Sequence, residues 1–186
     1  MNTILKNSVD DLATLLPKLN GLGDDLLKLG EAMLACWNHK GKVMTCGNGG
    51  SCADAMHLAE ELSVRFMKNR KALAAISLAD PSAITCCGND FGFDRVFSRQ
   101  VEALGNPHDL LIVFSTSGNS PSIVKAVEAA KQQFVTTASF LGKSGGTLKG
   151  MCDIELHVPS DSTARIQEAH KLLFHALCEW IDGHVE

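Results

Sequence analysis

A chain of 186 residues with 17 Lys and Arg against 21 Asp and Glu has a formal net charge of −4; 45% of it is hydrophobic and 20% charged. That balance describes one ordinary globular domain, able to bury roughly 70% of the surface its unfolded chain exposes, so stability requires neither disulfides nor a structural metal. With no block of Lys or Arg it lacks the basic face that a nucleic-acid backbone or an anionic membrane demands, and its longest apolar runs, MLACW and LLIVF, are far too short to span a bilayer.

The opening stretch MNTILKNSVDDLATLL has no basic segment followed by a long apolar run, so no secretory leader is expected. Apolar residues then recur at helical spacing between Thr3 and Lys40, and the pattern is interrupted near Asn20-Gly21-Leu22-Gly23. Two helices with a glycine break are expected there. Beyond them short apolar segments alternate with helical ones: KVMTCG and a helix; ALAAISL and two short helices; DLLIVFS and a helix; FVTTASFL and a helical turn; CDIELHV and a long final helix. Five such alternations predict an α/β fold, a parallel sheet covered by helices on both faces. No repeat or linker divides the chain, so residues 1–186 read as a single domain, a helical extension over 1–40 and an α/β core over 41–186.

Seven scattered cysteines with no CxxC pair signal neither a disulfide framework nor a cysteine zinc site. Free thiols in a reducing cytosol fit best, and the adjacent Cys86 and Cys87 are expected to pack at a strand end. Tyrosine is absent, so ligand recognition is expected to rest on hydroxyls, amides, backbone and charge rather than on stacking.

In an open parallel sheet ligands bind at the carboxyl ends of the strands. The loops there are GNGGS, the segment leading into GNDFGF, and STSGNS. The third offers Ser115, Thr116, Ser117 and Ser120 at the start of a helix, with Pro121 at its first position and Ser120 as N-cap. Unpaired N–H groups and a partial positive charge at that terminus make an anion cradle suited to a phosphate monoester. Capping a turn needs one or two hydroxyls, not four. The first loop is not a dinucleotide fingerprint, because Cys52 stands where the third glycine belongs; its glycines still allow close backbone approach, and Asn48 and Ser51 can reach ligand hydroxyls.

On the helix that follows GNGGS, His57 and Glu61 are four residues apart and share one face. The last helix adds Gln167, Glu168, His170 and His175. A histidine and a carboxylate one turn apart make half of a metal site or an acid and base pair, although such pairs are commonly plain surface contacts. His39, His108, His157 and His184 read as surface or loop residues. Gln167 and His175 are separated by a rise of about 12 Å, so a single ion takes both only with side chains at full stretch. Contributions from two subunits are at least as plausible, which places the expected site at an interface.

Taken in order, GNGGS…MHLAEEL, GNDFGF…FSRQVEAL, STSGNS and RIQEAH…H resemble the phosphoheptose isomerases of the sugar isomerase (SIS) domain family. The resemblance implies a three-layer, flavodoxin-like sandwich with a five-stranded parallel sheet, and a cytoplasmic homotetramer with active sites shared between subunits. It implies conversion of sedoheptulose 7-phosphate to D-glycero-D-manno-heptose 7-phosphate through an enediol, the first step toward activated heptose for lipopolysaccharide core or capsule. Carried over, the ligands of one zinc ion are His57, Glu61, Gln167 and His175. The substrate contacts are Asn48, Gly49, Gly50, Ser51, Glu61, Asn89, Asp90, Ser115, Thr116, Ser117, Ser120 and Gln167, with Glu61 as carbon-proton base and His175 as partner acid. Departures from the pattern are Ala164, where some members carry an acidic residue, and the Cys52-Ala53-Asp54 continuation of the first loop, where relatives vary. The alternatives within the fold are a non-catalytic binding protein of the kind that associates with the replication initiator, and an isomerase of a shorter sugar phosphate; retention of all four ligand residues favours the enzyme.

Overall fold

Four of the five strands are segments without a charge, and one edge strand alone carries one, Glu155. The computed structural model describes residues 1–185; Glu186, the last residue of the expected domain, lies outside the described residues. The strands are β1 (Val43–Gly47), β2 (Ala75–Ser77), β3 (Leu110–Ser115), β4 (Thr136–Leu141) and β5 (Ile154–His157). All pair in parallel, in the order β2-β1-β3-β4-β5. β1 and β3 are buried along their whole length, as strands with helices on both faces must be. The strand order reverses between β1 and β3, and in open parallel sheets ligands bind at the carboxyl ends of the strands at such a point.

Among the described residues seven α-helices surround the sheet: α1 (Asn2–Leu15), α2 (Gly23–Asn38), α3 (Gly50–Ser63), α4 (Pro81–Asp90), α5 (Ser98–Leu104), α6 (Pro121–Gln132) and α7 (Thr163–His184). Leu29 and Met33 of α2, Leu58 and Leu62 of α3, and Phe174 and Leu177 of α7 pack on one face of the sheet. On the other face Cys87 of α4, Val101 of α5, and Ile123 and Val127 of α6 form a second cluster. The three-layer α/β sandwich is therefore the architecture expected from the sequence.

Three local expectations need correction. Helix α1 ends at Leu15 and a 3-10 segment, Leu16–Leu22, follows, so the break starts earlier than the glycines. Pro17 lacks the N–H that would continue the α-helical ladder, whereas Gly23 keeps right-handed helical dihedrals. The second strand is only Ala75–Ser77, because just before it Leu73 N–H bonds to Leu62 O of α3 (3.1 Å) and Ala74 O also accepts from Trp37 Nε1 (3.0 Å). Cys86 and Cys87 lie on α4 rather than at a strand end, and only Cys87 is buried.

Helix α1 buries little of its own apolar surface. Leu5, Val9, Leu12, Leu16 and Leu19 follow a four-three spacing that runs from exposed Leu5 (64%) and Val9 (57%) to buried Leu19 (5%). Such a seam is the kind that packs against another helix.

A buried ion pair locks α3 to α7. Asp182 of α7 accepts N–H bonds from Met67 and Lys68, both at 2.9 Å, and one from Arg70 Nε at 2.7 Å. Arg70 in turn donates to Glu61 O (2.8 Å) and Leu62 O (3.0 Å), carbonyls that the end of α3 leaves without intrahelical partners. Both side chains are 2–3% exposed. Burial opposes ionisation of Asp182, but the bonds from Lys68, Arg70 and Met67 outweigh it and hold the carboxyl below its usual range. Its contribution is therefore complete above the unfolded value of about 3.9 and fades as pH falls through the lower folded value. Asp182→Asn is expected to lose about 3–5 kcal/mol at neutral pH in urea denaturation, with the gap to the unaltered protein narrowing below about pH 4.

Candidate active site

The turn from β3 into α6 leaves several hydroxyl protons uncommitted. Ser115 Oγ accepts the Gly118 N–H (3.1 Å) and Ser117 Oγ accepts the Asn119 N–H (3.3 Å), which leaves both hydroxyl protons free to donate. Ser120 occupies the N-cap position without a side-chain capping bond, so its hydroxyl is also uncommitted. The α6 N-terminus supplies the partial positive charge. The arrangement is chemically an anion cradle.

A second loop, which the sequence analysis did not single out, braces this turn. Asn119 Oδ1 accepts from Thr147 N (2.9 Å) and Thr147 Oγ1 (3.1 Å), and Gly118 O accepts from Leu148 N (3.0 Å). Gly118 sits at φ +66, and a Cβ there would lie 1.8 Å from Gly145 O. Only glycine permits that approach. The available signal was the Gly145-Gly146 pair, both at positive φ.

The GNGGS loop joins the cradle to the opposite face of the sheet. Asn48 Nδ2 donates to Ser122 Oγ (2.9 Å) in the first turn of α6. Gly49, at φ +58, turns the chain into α3, and Ser51 is buried at 4% exposure. A Cβ on Gly50 would sit 2.4 Å from Gln167 Nε2, which places the Gln167 amide against the start of α3.

From that point α3 and α7 run side by side in the same direction. Gly50 faces Gln167, Asp54 Oδ1 lies 3.6 Å from Lys171 Nζ, and His57 meets His175 with ring centroids 5.0 Å apart. His57 Nε2 bonds Glu61 Oε1 at 2.9 Å. Ligand atoms of His57, Glu61 and His175 all lie within 4.8 Å of one another, a cluster able to hold a metal ion. Buried His175 Nε2 has no hydrogen-bond partner among the described residues. Burial, then the adjacent His57, lowers the His175 pKa and favours the neutral ring that ligates metals.

Three of the four residues expected as metal ligands thus converge within one chain. Gln167 does not join them; it lies at the cradle end of α3, eight residues and about 12 Å along α7 from His175. Asn89 and Asp90 occupy the last turn of α4, both exposed, with Asn89 Nδ2 bonded to Asp90 Oδ1 at 2.8 Å. Two further polar residues of α7 have other employment. His170 is fully buried, bonds Leu141 O at 3.1 Å and is pushed down to about 4 by burial, while Glu168 pairs with Arg165.

Comparison with known proteins places this geometry. The SIS domain family matches residues 9–142. Phosphoheptose isomerase 1 of Campylobacter jejuni is 52% identical over 162 residues, 87% of each chain. The phosphoheptose isomerase of Helicobacter pylori strain 26695 is 46% identical over 184 residues, 98% of this chain and 96% of its own. Among solved structures, phosphoheptose isomerase GmhA from Neisseria gonorrhoeae superimposes with a TM-score of 0.92 at 40% identity, covering 98% of both chains. A phosphoheptose isomerase from Francisella tularensis gives 0.94 at 39% identity, covering 97% of both. The chain belongs to the SIS domain family and, within it, to the phosphoheptose isomerases.

The brace makes the cradle testable apart from any chemistry. Asn119→Ala, at an exposed position, removes two hydrogen bonds to Thr147 and is expected to weaken inorganic phosphate binding about tenfold in calorimetric titration, with little change in melting temperature. Unchanged phosphate affinity would show that the second loop does not shape the anion site.

Proposed function

We propose that the chain is a cytoplasmic, zinc-containing homotetramer that converts sedoheptulose 7-phosphate to D-glycero-D-manno-heptose 7-phosphate, opening the route to activated heptose for lipopolysaccharide core. The observation that carries the reading is the convergence of His57, Glu61 and His175 between α3 and α7, in a chain whose relatives are phosphoheptose isomerases. Among the described residues no helix is long and apolar enough to cross a membrane.

The three side chains fit a zinc ion: two imidazoles and a carboxylate are a suitable donor set, and the unpartnered His175 Nε2 is already buried among them. When bound, zinc polarises the sugar's carbonyl oxygen. The remaining chemistry belongs to the protein. Ketose-to-aldose exchange removes a proton from C1 and returns one to C2 through an enediol. Glu61 Oε1 is engaged by His57, so Oε2 is the oxygen left to carry the carbon proton. His175, held neutral by its burial, exchanges the hydroxyl protons. Ser115, Thr116, Ser117 and Ser120 bind the phosphate, and Asn48, Gly49, Gly50, Ser51 and Gln167 bind the hydroxyls near it.

Distance supports shared sites. Glu61 lies eleven residues beyond Gly50 on α3, a rise of about 16 Å. From C2 of the sugar to phosphorus there are seven bonds of about 1.5 Å, so even their plain sum, ~10.5 Å, falls short. A phosphate in one chain's cradle therefore presents its reacting end to the His57, Glu61 and His175 of a neighbouring subunit, while Gln167 of the cradle's own chain lies beside the sugar hydroxyls and Asn89 and Asp90 serve as further contacts. The exposed Leu5 and Val9 seam of α1 is the surface on which such assembly builds.

Proton NMR of the purified protein with sedoheptulose 7-phosphate tests the activity. An aldoheptose 7-phosphate anomeric signal is expected, abolished in Glu61→Gln and reduced by a chelator; no conversion by a folded, metal-loaded oligomer would overturn the assignment. Sharing has its own measurement. Glu61→Gln and Gly118→Ala, inactive separately, are expected to recover about a quarter of the sites when mixed as hybrid oligomers, whereas Glu61→Gln and His175→Ala, which damage the same half-site, recover none.

A further inference from the structure

Midway along the α3–α7 contact lies a pair that this chemistry leaves unused. Gln167, Lys171 and His175 are spaced by four and share one face of α7, and Lys171 is opposed by Asp54. The Asp54 side chain is 5% exposed; Oδ1 is 3.6 Å from Lys171 Nζ, and Oδ2 has no donor among the described residues. A carboxylate so placed is costly to a helix interface that alanine would pack without penalty. Lys171 itself is 48% exposed, and its ammonium has three N–H donors of which Asp54 can occupy only part. Lys171 and His175 line one open cavity of about 530 Å³, with Phe66, Leu172 and Ala176 as its apolar walls and Glu168 and Glu179 at its edge, Glu168 already paired with Arg165.

We propose that Asp54 fixes Lys171 as a cation facing the reacting end of the sugar, where its ammonium stabilises the negative charge that develops on the enediolate. The inference rests on the isomerase reading and adds a residue to it. As the C1–H bond breaks and its proton passes to Glu61, the electron pair forms the C1–C2 double bond and the carbonyl pair moves to O2. Lys171 keeps its proton throughout and offsets the charge on that oxygen. A fixed charge needs no reorganisation at the moment of reaction, which is what makes it effective.

The competing role, a plain staple between two helices, predicts a different response. Zinc-loaded wild type, Lys171→Met and Lys171→Arg would be titrated calorimetrically with two probes: a phosphorylated aldonohydroxamate, which imitates the anionic enediolate, and the alditol phosphate of the same length, which is neutral at that end. Thermal melting would accompany each titration. Lys171→Met is expected to weaken the hydroxamate about tenfold or more and the alditol phosphate no more than about twofold. Lys171→Arg should recover most of the loss, with melting temperatures unchanged. Asp54→Asn, nearly isosteric, should show the same selective loss in smaller measure. Equal weakening of both probes, or a lowered melting temperature with no selectivity between them, overturns the proposal. Because neither probe needs turnover, selective hydroxamate loss in a protein that fails to convert sedoheptulose 7-phosphate would support the role of Lys171 while sinking the isomerase reading.

Discussion

The parallel docking of α7 against α3 is the constraint from which the site follows. Two helices far apart in sequence hold His57, Glu61 and His175 within ligand distance only if both their axial register and their rotation are fixed. Register is fixed at one end by Gly50, where any side chain would displace the Gln167 amide, and at the other by Arg70, which ties the last carbonyls of α3 to Asp182. Rotation is fixed by Leu58, Leu62, Phe174 and Leu177, whose burial turns the opposite stripes of both helices toward one another. A slip of one helical residue would carry His175 away from its partners by about 1.5 Å and rotate it by about 100°.

The same docking separates the two halves of the chemistry. Helix α3 starts at the carboxyl edge of the sheet, beside the cradle, and carries its histidine and carboxylate down one face. The hydroxyl-rich loops thus lie beside the start of α3, and the cluster of His57, Glu61 and His175 lies toward its far end. In the proposed tetramer, assembly would complete the site, and the exposed apolar seam on α1 is the surface offered for it. Fixed donors at both ends suit a reaction whose substrate must be held while its carbonyl migrates by one carbon.

Helix α7 shows how one run of residues is sorted by its surroundings. His170 and His175 are the same residue type on the same helix. One is turned into the sheet, where Leu141 O and two phenylalanine rings enclose it and burial drives it down to about 4. The other faces α3, is only partly exposed, and keeps a free Nε2 beside His57. Gln167, Lys171 and His175 form a polar stripe because every residue between them is needed either for the core or for the solvent face.

Read without coordinates, the chain already declared its strand and helix alternation, its sheet buried on both faces, and its loops of glycine and hydroxyl residues at strand ends. These are local facts, set by apolar runs such as LLIVFS and by the chemistry of turns, and they need no knowledge of what packs on what. The pairing of His57 with Glu61 was equally legible, since it follows from a single helical turn. Its junction with His175 was not, because 118 residues of chain separate the two positions and only the packing of α7 on α3 brings them together. Nor did the sequence disclose the brace of Asn119 by Thr147 or the Asp54–Lys171 pair. Each depends on how a helix or loop is rotated and how far along it a residue falls when the core closes. Side-chain volume across the whole fold decides that, and no local spacing encodes it.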